Sequence, residues 1–515
     1  MKFRGRPLSD AWLVAIYMLA TFAIGYGVYV FASIRTINPV KHLALIPSTS
    51  IDDRIYNIFL AQPQVCLQNS TSTLAEGGCR MQLLWTVGAY GGKLLGLQAP
   101  GVTAIALRII LLALLGLAIY HFNRAWSRRT HQDPRHTMGW LAALIVFMPV
   151  PLLFLNLGHE LADASLIVAT FASPPDIFSI LMSLICVGGL YLCSENPRAW
   201  SIIGALAGIW AFLHPYFMFF WLTLAVVWLA KSRSLVRTRP LPSLLLILPT
   251  ILAGGYYAWL AVTNQFFRYH LSSNVTKYDP HTIIALFAGT CLSLALAMFI
   301  LRKDNIRLSE ISKRFGPFLL TWLAVGTVWA IIPTYTSRRM SLVLLVPLAI
   351  AVTRLVTLPG AKLFRRYILI MLCVNFVILT LISVVAQGRY LESDLRSRTV
   401  TPIDRQAAAY LATRPQDYYI GSTRAIIRFP WLSRTRMLNV QSPESPEFAL
   451  WNNLINELIS PNPSCAAIQN RLLAGHVSGI ILDTATKPRE MQGIASCGYK
   501  AVYDNPDWVI YSIKP

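Results

Sequence analysis

Charge is scarce in this chain of 515 residues, and acidic charge scarcest of all: charged residues make up 13%, with 23 Asp or Glu against 45 Lys or Arg. Soluble domains carry roughly twice that charged fraction, about a quarter, so an ordinary soluble fold is excluded for most of the chain. There is no P-loop, so no nucleotide cradle of that kind supplies energy. No internal repeat is visible either, which counts against the inverted halves of many secondary transporters. Cysteine is sparse, at eight residues.

What the chain has in plenty is apolar sequence, 55% of residues, with a mean hydropathy of +0.52. It falls in long runs bounded by charge, which predicts membrane spans. Nine runs are of single-span length: Ala11–Ser33, Thr103–Phe122, Met138–Leu157, Pro175–Cys193, Leu241–Val262, Thr282–Leu301, Phe315–Ile332, Met340–Val356 and Tyr367–Ala386. A tenth, Ala199–Ala230, is too long for one span and is interrupted by His214–Pro215–Tyr216, where proline disfavours helix at the residue before it. Read as two short spans, it brings the total to about eleven. The first run exceeds a signal-peptide core and lacks a small-residue cleavage site, so it is expected to stay as an anchor.

A net charge of +22 would suggest nucleic acid in a soluble protein. Here the cations fall in alternate loops, the pattern of membrane orientation. With Lys2, Arg4 and Arg6 in the cytoplasm, the inner loops collect the basic residues from Arg124 to Arg135, Arg198, and those from Lys231 to Arg239, Arg302 to Arg314 and Lys362 to Arg366. The expected fold is therefore a polytopic α-helical membrane protein of about eleven transmembrane helices, N-terminus in and C-terminus out. Its transmembrane domain covers 1–386 with a long first outer loop, 34–101, and a small extracytoplasmic α/β domain covers 387–515. In that tail, Thr401, Pro402 and Asp404 read as a capping box opening a helix. "DYYIGS" and "HVSGIILD" read as strands, "FALWNNLINELI" as a helix, and the end as a hairpin around Asn505–Pro506–Asp507. Four cysteines fall in segments set outside, Cys66 with Cys79 and Cys465 with Cys497, and these pairs are expected to be disulfides, free thiols being the alternative.

Outward-facing acid–base chemistry has few carboxylates to draw on. Two adjoin in "SIDDR" at the start of the first outer loop, Asp52 and Asp53, where one could serve as a base; Ser50 with Asp53 also makes a capping box, and the two readings can coexist. Arg54 beside them could bind an anion or pair with Asp53. In "NLGHELADAS", His159, Glu160 and Asp163 share one side of a helix and could ligate a divalent cation, orient a lipid phosphate, or simply dress a wet loop helix. Arginine grips phosphate bidentately, so Arg338 and Arg339 in "YTSRRMS", and Arg268 with His270 in "FFRYHL", are candidates for an anionic headgroup, with snorkelling to ordinary lipid as the alternative. His214 is either a ligand or a satisfied polar break. Arg108, a turn inside the second span, is a weaker candidate.

Taken in order, one span, a long outer loop opening with an acidic pair in "IDDRIY", a second acidic outer loop in "HELAD", many further spans, "SRRMSLVLLVPLAIAV", and an α/β tail with "HVSGIILD" and "WVIYSI" resemble the GT-C superfamily of polyprenyl-phosphate-sugar-dependent membrane glycosyltransferases. The resemblance implies an inverting glycosyltransferase acting at the outer face, with Asp52 or Asp53 as general base. It implies Glu160 or Asp163 assisting a metal or the acceptor, and Arg338 or Arg339 holding the donor phosphate. A divalent cation, Mg or Mn, is the cofactor it suggests. The expected partners are a lipid-linked sugar, a glycan, lipid or protein acceptor, and membrane lipid, with no nucleic acid, and a bacterial inner membrane with a periplasmic tail is the expected location. The W-W-D motif of oligosaccharyltransferases and the D-E pair of protein mannosyltransferases are absent, which leaves the subfamily open. A transporter or flippase of lipid-linked sugars and a non-catalytic envelope scaffold are the competing readings; acids gathered at one face rather than mid-span disfavour the first.

Overall fold

The computed structural model describes residues 2–3, 6–7, 83–96, 100–129, 174–263, 295–332, 337–370, 401–415, 417–433, 435–439, 448–460, 462–484 and 491–513. Of the expected spans, Ala11–Ser33 and Met138–Leu157 lie outside these residues, as does most of Thr282–Leu301 and of Tyr367–Ala386. The chain divides into two compact units, one of Met1–Arg35, Ile105–Tyr257 and Val275–Leu391, the other of Thr36–Ala104, Ala258–Asn274 and Glu392–Pro515.

The first unit is helical through most of its described residues. Its helices are α1 (Pro100–Arg129, most of which belongs here), α2 (Pro174–Ser183), α3 (Pro197–Leu213), α4 (Met218–Lys231), α5 (Pro240–Thr263, again mostly here), α6 (Leu308–Ile331) and α7 (Ser337–Val356). Their outward faces are as apolar as their buried ones. On α1, Leu111, Leu112, Leu115 and Ile119 are buried while Ile109, Ile110, Leu114 and Leu117 are exposed, and on α5 buried Leu246 and Ala253 alternate with exposed Leu244, Ile251 and Leu252. Helices that are apolar all round belong where lipid meets the outer face, and Ala106–Trp126 and Pro240–Thr263 are each long and apolar enough to cross a bilayer. This is the surface of a membrane protein.

The long apolar run divides where proline forbids helix. His214 caps α3 with φ −147° and ψ 82°, a short 3-10 turn Pro215–Phe217 follows, and α4 begins at Met218. A second interruption shapes α6: Gly316 takes φ 68°, accessible to glycine at little cost, and Pro317 follows it. The polar turn before it therefore belongs to a different segment from the span that the sequence predicts from Phe315.

Gly204 and Gly208 sit four residues apart on α3, and a Cβ on Gly204 would come within 2.1 Å of the Leu245 carbonyl oxygen, one on Gly208 within 2.4 Å of Pro249 Cβ. The backbones of α3 and α5 thus touch through a small-xxx-small contact. Gly204→Ala should force them apart and destabilise the unit by about 1–3 kcal/mol, the usual effect of overpacking. The thermal midpoint in detergent should drop, whereas Gly255→Ala, where an added methyl meets nothing within 4 Å, should not lower it.

The described part of the second unit's tail is an α/β fold. Thr401 and Asp404 cap α8 (Pro402–Ala412) reciprocally, and Pro402 stands in its first turn. Strand β1 (Tyr418–Gly421), α9 (Thr423–Leu432), β2 (Arg436–Met437), α10 (Phe448–Leu458), α11 (Cys465–Ala474), β3 (Val477–Asp483), β4 (Lys500–Asp504) and β5 (Trp508–Ser512) follow. The sheet order is β2-β1-β3-β5-β4, with β2, β1 and β3 parallel and β5 antiparallel to both β3 and β4. Side-chain alternation along β3 covers both faces: Ile480 and Leu482 pack with Leu454, Leu458, Ile468 and Leu472, and Ile481 packs with Leu411, Ile426 and Phe429. The sheet is therefore sandwiched, α10 and α11 on one side, α8 and α9 on the other.

Cys465 and Cys497 form a disulfide with Cα atoms 5.1 Å apart and 32 residues of separation. Cys66 and Cys79 lie outside the described residues. Closing a loop of that length stabilises the folded tail by about 3–4 kcal/mol in the chain-entropy account. Cys497→Ser should therefore shorten the protease half-life of the tail in the full-length protein, and reductant should do the same to the wild type and nothing further to the variant.

Candidate functional site

The residues expected to do chemistry divide by position. Asp52, Asp53, Arg54, His159, Glu160, Asp163, Arg268 and His270 lie outside the described residues. Arg338 and Arg339 open α7, a helix of twenty residues that begins at Ser337. The first turn of a helix presents unpaired backbone N–H groups and the positive end of its dipole, an arrangement that attracts phosphate. Two cationic residues at that place add charge of the same sign.

His214 is buried at the α3–α4 break. Its Nδ1 lies 2.5 Å from Ser179 Oγ on α2, and the same hydroxyl oxygen accepts from Trp210 Nε1 at 3.4 Å. Its ring lies 4.8 Å from that of Tyr216 and 5.2 Å from that of Phe217. Beside it, Tyr257 donates its hydroxyl to the Phe212 carbonyl at 2.5 Å, engaging a backbone oxygen next to the break in α3. The break is thus stitched to its neighbours by polar side chains. Arg108 is also withdrawn into the helical unit, with 5% of its surface exposed, which is not the position of an arginine snorkelling to the lipid surface.

The densest polar cluster among the described residues stands in the tail. Asp404 is fully buried; its Oδ2 accepts from the Thr401 backbone N–H at 2.6 Å and from Arg428 Nη1 at 2.5 Å, and its Oδ1 accepts from Trp508 Nε1 at 2.6 Å. Arg424 donates through Nη1 to both oxygens of Asp483 at 3.1 Å and through Nη2 to Asp507 at 3.3 Å, and lies 4.9 Å from the Trp508 ring centre. Burial pushes the Arg428 guanidinium below its usual pKa, and the Asp404 carboxylate opposes that shift. Three carboxylates converge here, but two guanidinium groups already engage them, so the cluster is an ion-pair lattice rather than a cation site. Among the described residues no group of three or more His, Cys, Asp or Glu side chains is placed to hold a metal ion.

In the sequence Asp404 shows only as a cap and Asp507 only as a turn residue, and no motif there marks Arg424, Arg428 or Asp483. The available signal was the spacing of Arg424 and Arg428, one helical turn apart directly after a predicted strand.

No family model matches the chain, and no curated protein matches its sequence. Among solved structures, ArnT from Cupriavidus metallidurans bound to undecaprenyl phosphate superposes with a TM-score of 0.53 at 14% identity, covering 98% of this chain and 98% of that one. The fold resembles that of the GT-C superfamily. With 98% of the chain aligned, the GT-C likeness takes in the helical body and the α/β tail together. The archaeal oligosaccharyltransferase AglB from Archaeoglobus fulgidus, in complex with an inhibitory peptide and a dolichol-phosphate, aligns with a TM-score of 0.44 at 12% identity over 94% of this chain and 71% of that one.

Proposed function

We propose that this protein is an inverting membrane glycosyltransferase that moves a sugar from a polyprenyl-phosphate donor to an acceptor hydroxyl at the outer face of the membrane. The observation that carries the proposal is the end-to-end likeness to an ArnT bound to undecaprenyl phosphate. It is supported by a helix that opens with Ser337, Arg338 and Arg339, a place suited to phosphate.

In this reading Asp52 or Asp53 takes the proton of the acceptor hydroxyl. The oxygen attacks the anomeric carbon from the face opposite the phosphate, the carbon–oxygen bond to the phosphate breaks, and polyprenyl phosphate leaves with both electrons. Arg338 and Arg339 stabilise the charge gathering on that phosphate, with Arg54, Arg268 and His270 as further donors to it, while His214 serves as the satisfied polar break between α3 and α4. His159, Glu160 and Asp163 support the acceptor or a divalent cation. The donor carries its own activated leaving group, which suits a chain without a P-loop. The active site and the tail, residues 387–515, face the periplasm of a bacterial inner membrane.

The experiment is release of polyprenyl phosphate by purified protein from a panel of polyprenyl-monophosphate sugars, with crude membrane supplied as acceptor. Release from one donor, dependent on acceptor, is the expected result. Movement of the intact donor across vesicles with no release would replace the transferase with a flippase.

A further inference from the structure

The helical unit carries a basic surface at one end, and its inward contacts show that the end is a single region. Trp228, late in α4, meets the Phe318 ring at 5.5 Å, and Lys231 donates to Thr321 Oγ1 of α6 at 2.7 Å. Phe318 lies 4.7 Å from Tyr191, which stacks on Trp126 of α1 at 4.2 Å, and Arg354 near the end of α7 covers Trp126 at 4.5 Å. Arg365 donates to the Val356 carbonyl at 2.6 Å, which brings helix 362–370 to the same end. The ends of α1, α4 and α7, with the turn of α6 that follows the Gly316 break, are therefore gathered around one aromatic floor.

Outward from that floor the charge is one-sided. Arg233 and Arg237, one turn apart on the short helix Arg233–Thr238, are exposed together with Arg239, while Leu235 and Val236 between them are half-buried. Lys362 and Arg366 are exposed as well. The acids described at this end are three, Glu195, Asp304 and Glu310. Asp304 already accepts the backbone N–H groups of Leu363 and Phe364 at 3.1 and 2.9 Å, and Glu195 lies 3.4 Å from Arg129. Among the described residues these cations have few acidic partners.

We propose that this end of the protein is a docking surface for anionic phospholipid, seated on Arg233, Arg237 and Arg239, with Lys362 and Arg366 as a second contact. Three features select a lipid surface over a nucleic acid or an acidic protein. The outer faces of the adjoining helices are apolar, as with Val226 late in α4 and Leu241 early in α5, so a bilayer is already beside the cations. The floor reaches the surface through half-buried Trp228 and Tyr191, the ring types that membrane–water interfaces favour, and juxtamembrane Lys and Arg draw anionic headgroups in proportion to their number. The inference does not depend on the transferase reading.

The test uses the full-length protein in mild detergent, titrated with phosphatidylglycerol or phosphatidylcholine, with retained lipid counted by native mass spectrometry at low and high salt. Phosphatidylglycerol should be retained in preference, by roughly fivefold for each arginine engaged, and high salt should weaken the preference. Arg233→Gln/Arg237→Gln/Arg239→Gln should remove most of it, and Lys362→Gln/Arg366→Gln, an independent variant if the first folds poorly, should remove part. Equal retention of the two lipids, or an undiminished preference in both variants, overturns the proposal. So does competition by free glycerol phosphate or polyglutamate as effective as that of the lipid, which would make the surface a phosphate or acidic-protein site.

Discussion

Asn in place of one of the two adjacent aspartates, Asp52→Asn or Asp53→Asn, is expected to cut the rate of polyprenyl phosphate release by about 10²–10⁴-fold, the usual worth of a positioned base. Donor binding should stay nearly unchanged, because in the proposed mechanism the base touches the acceptor. The other substitution should act more weakly and differently. Two neighbouring carboxylates raise each other's pKa, so removing the partner's charge lowers that of the base that remains. The pH–rate profile of the weaker variant should therefore move its acidic limb to lower pH while the plateau falls only modestly. The capping alternative predicts a different result, since Asn in a first helical turn loses only the dipole interaction, about 0.3–1 kcal/mol. Both variants would then melt slightly earlier and release product at the wild-type rate. That outcome would withdraw the catalytic role from the pair.

How much of the protein could be read in advance differs between its two units, for a physical reason. Apolar runs and their breaks are local, so the division at His214–Pro215 follows from residues within a few positions, whereas the break at Gly316 falls just inside the run expected from Phe315. The α8 capping box is local in the same way. The helix α9 and strand β2 were not legible. Two residues are too few for alternation to show, and α9 is made by what its two faces meet: Ala425, Ile426 and Phe429 are buried on the sheet while Arg424 and Arg428 reach acids distant in sequence. The sequence offers the candidate site only as a set of residue types, most of which lie outside the described residues. Its geometry is not legible there, since Ser179 and His214 are 35 positions apart and only packing makes them neighbours.

Asp404 is where the local and the distant meet, and its substitution should have the largest effect on the tail. Asp404→Asn would keep an acceptor for the Thr401 N–H but leave Arg428, 1% exposed, without its counter-charge. Breaking a buried pair by removing one partner costs about 3–5 kcal/mol, mostly the burial of the stranded charge. Arg428→Met should cost less, because the Asp404 carboxylate would still accept from the Thr401 N–H and the Trp508 indole, with Arg424 Nη2 at 3.9 Å. The double variant Asp404→Asn/Arg428→Met strands no charge within the pair and should recover much of the loss, since most of the cost of breaking a buried pair is the charge left uncompensated. Proteolysis of the tail in the full-length protein, followed against urea, gives the three values. Arg424 should hold Asp483 and Asp507 in all of them, so the double variant should fall short of the sum of the single losses by well over 1 kcal/mol, the signature of groups in direct contact. Losses that simply add would mean that Asp404 matters only as the cap of α8, and the ion-pair lattice would then contribute nothing to holding α9 on the sheet.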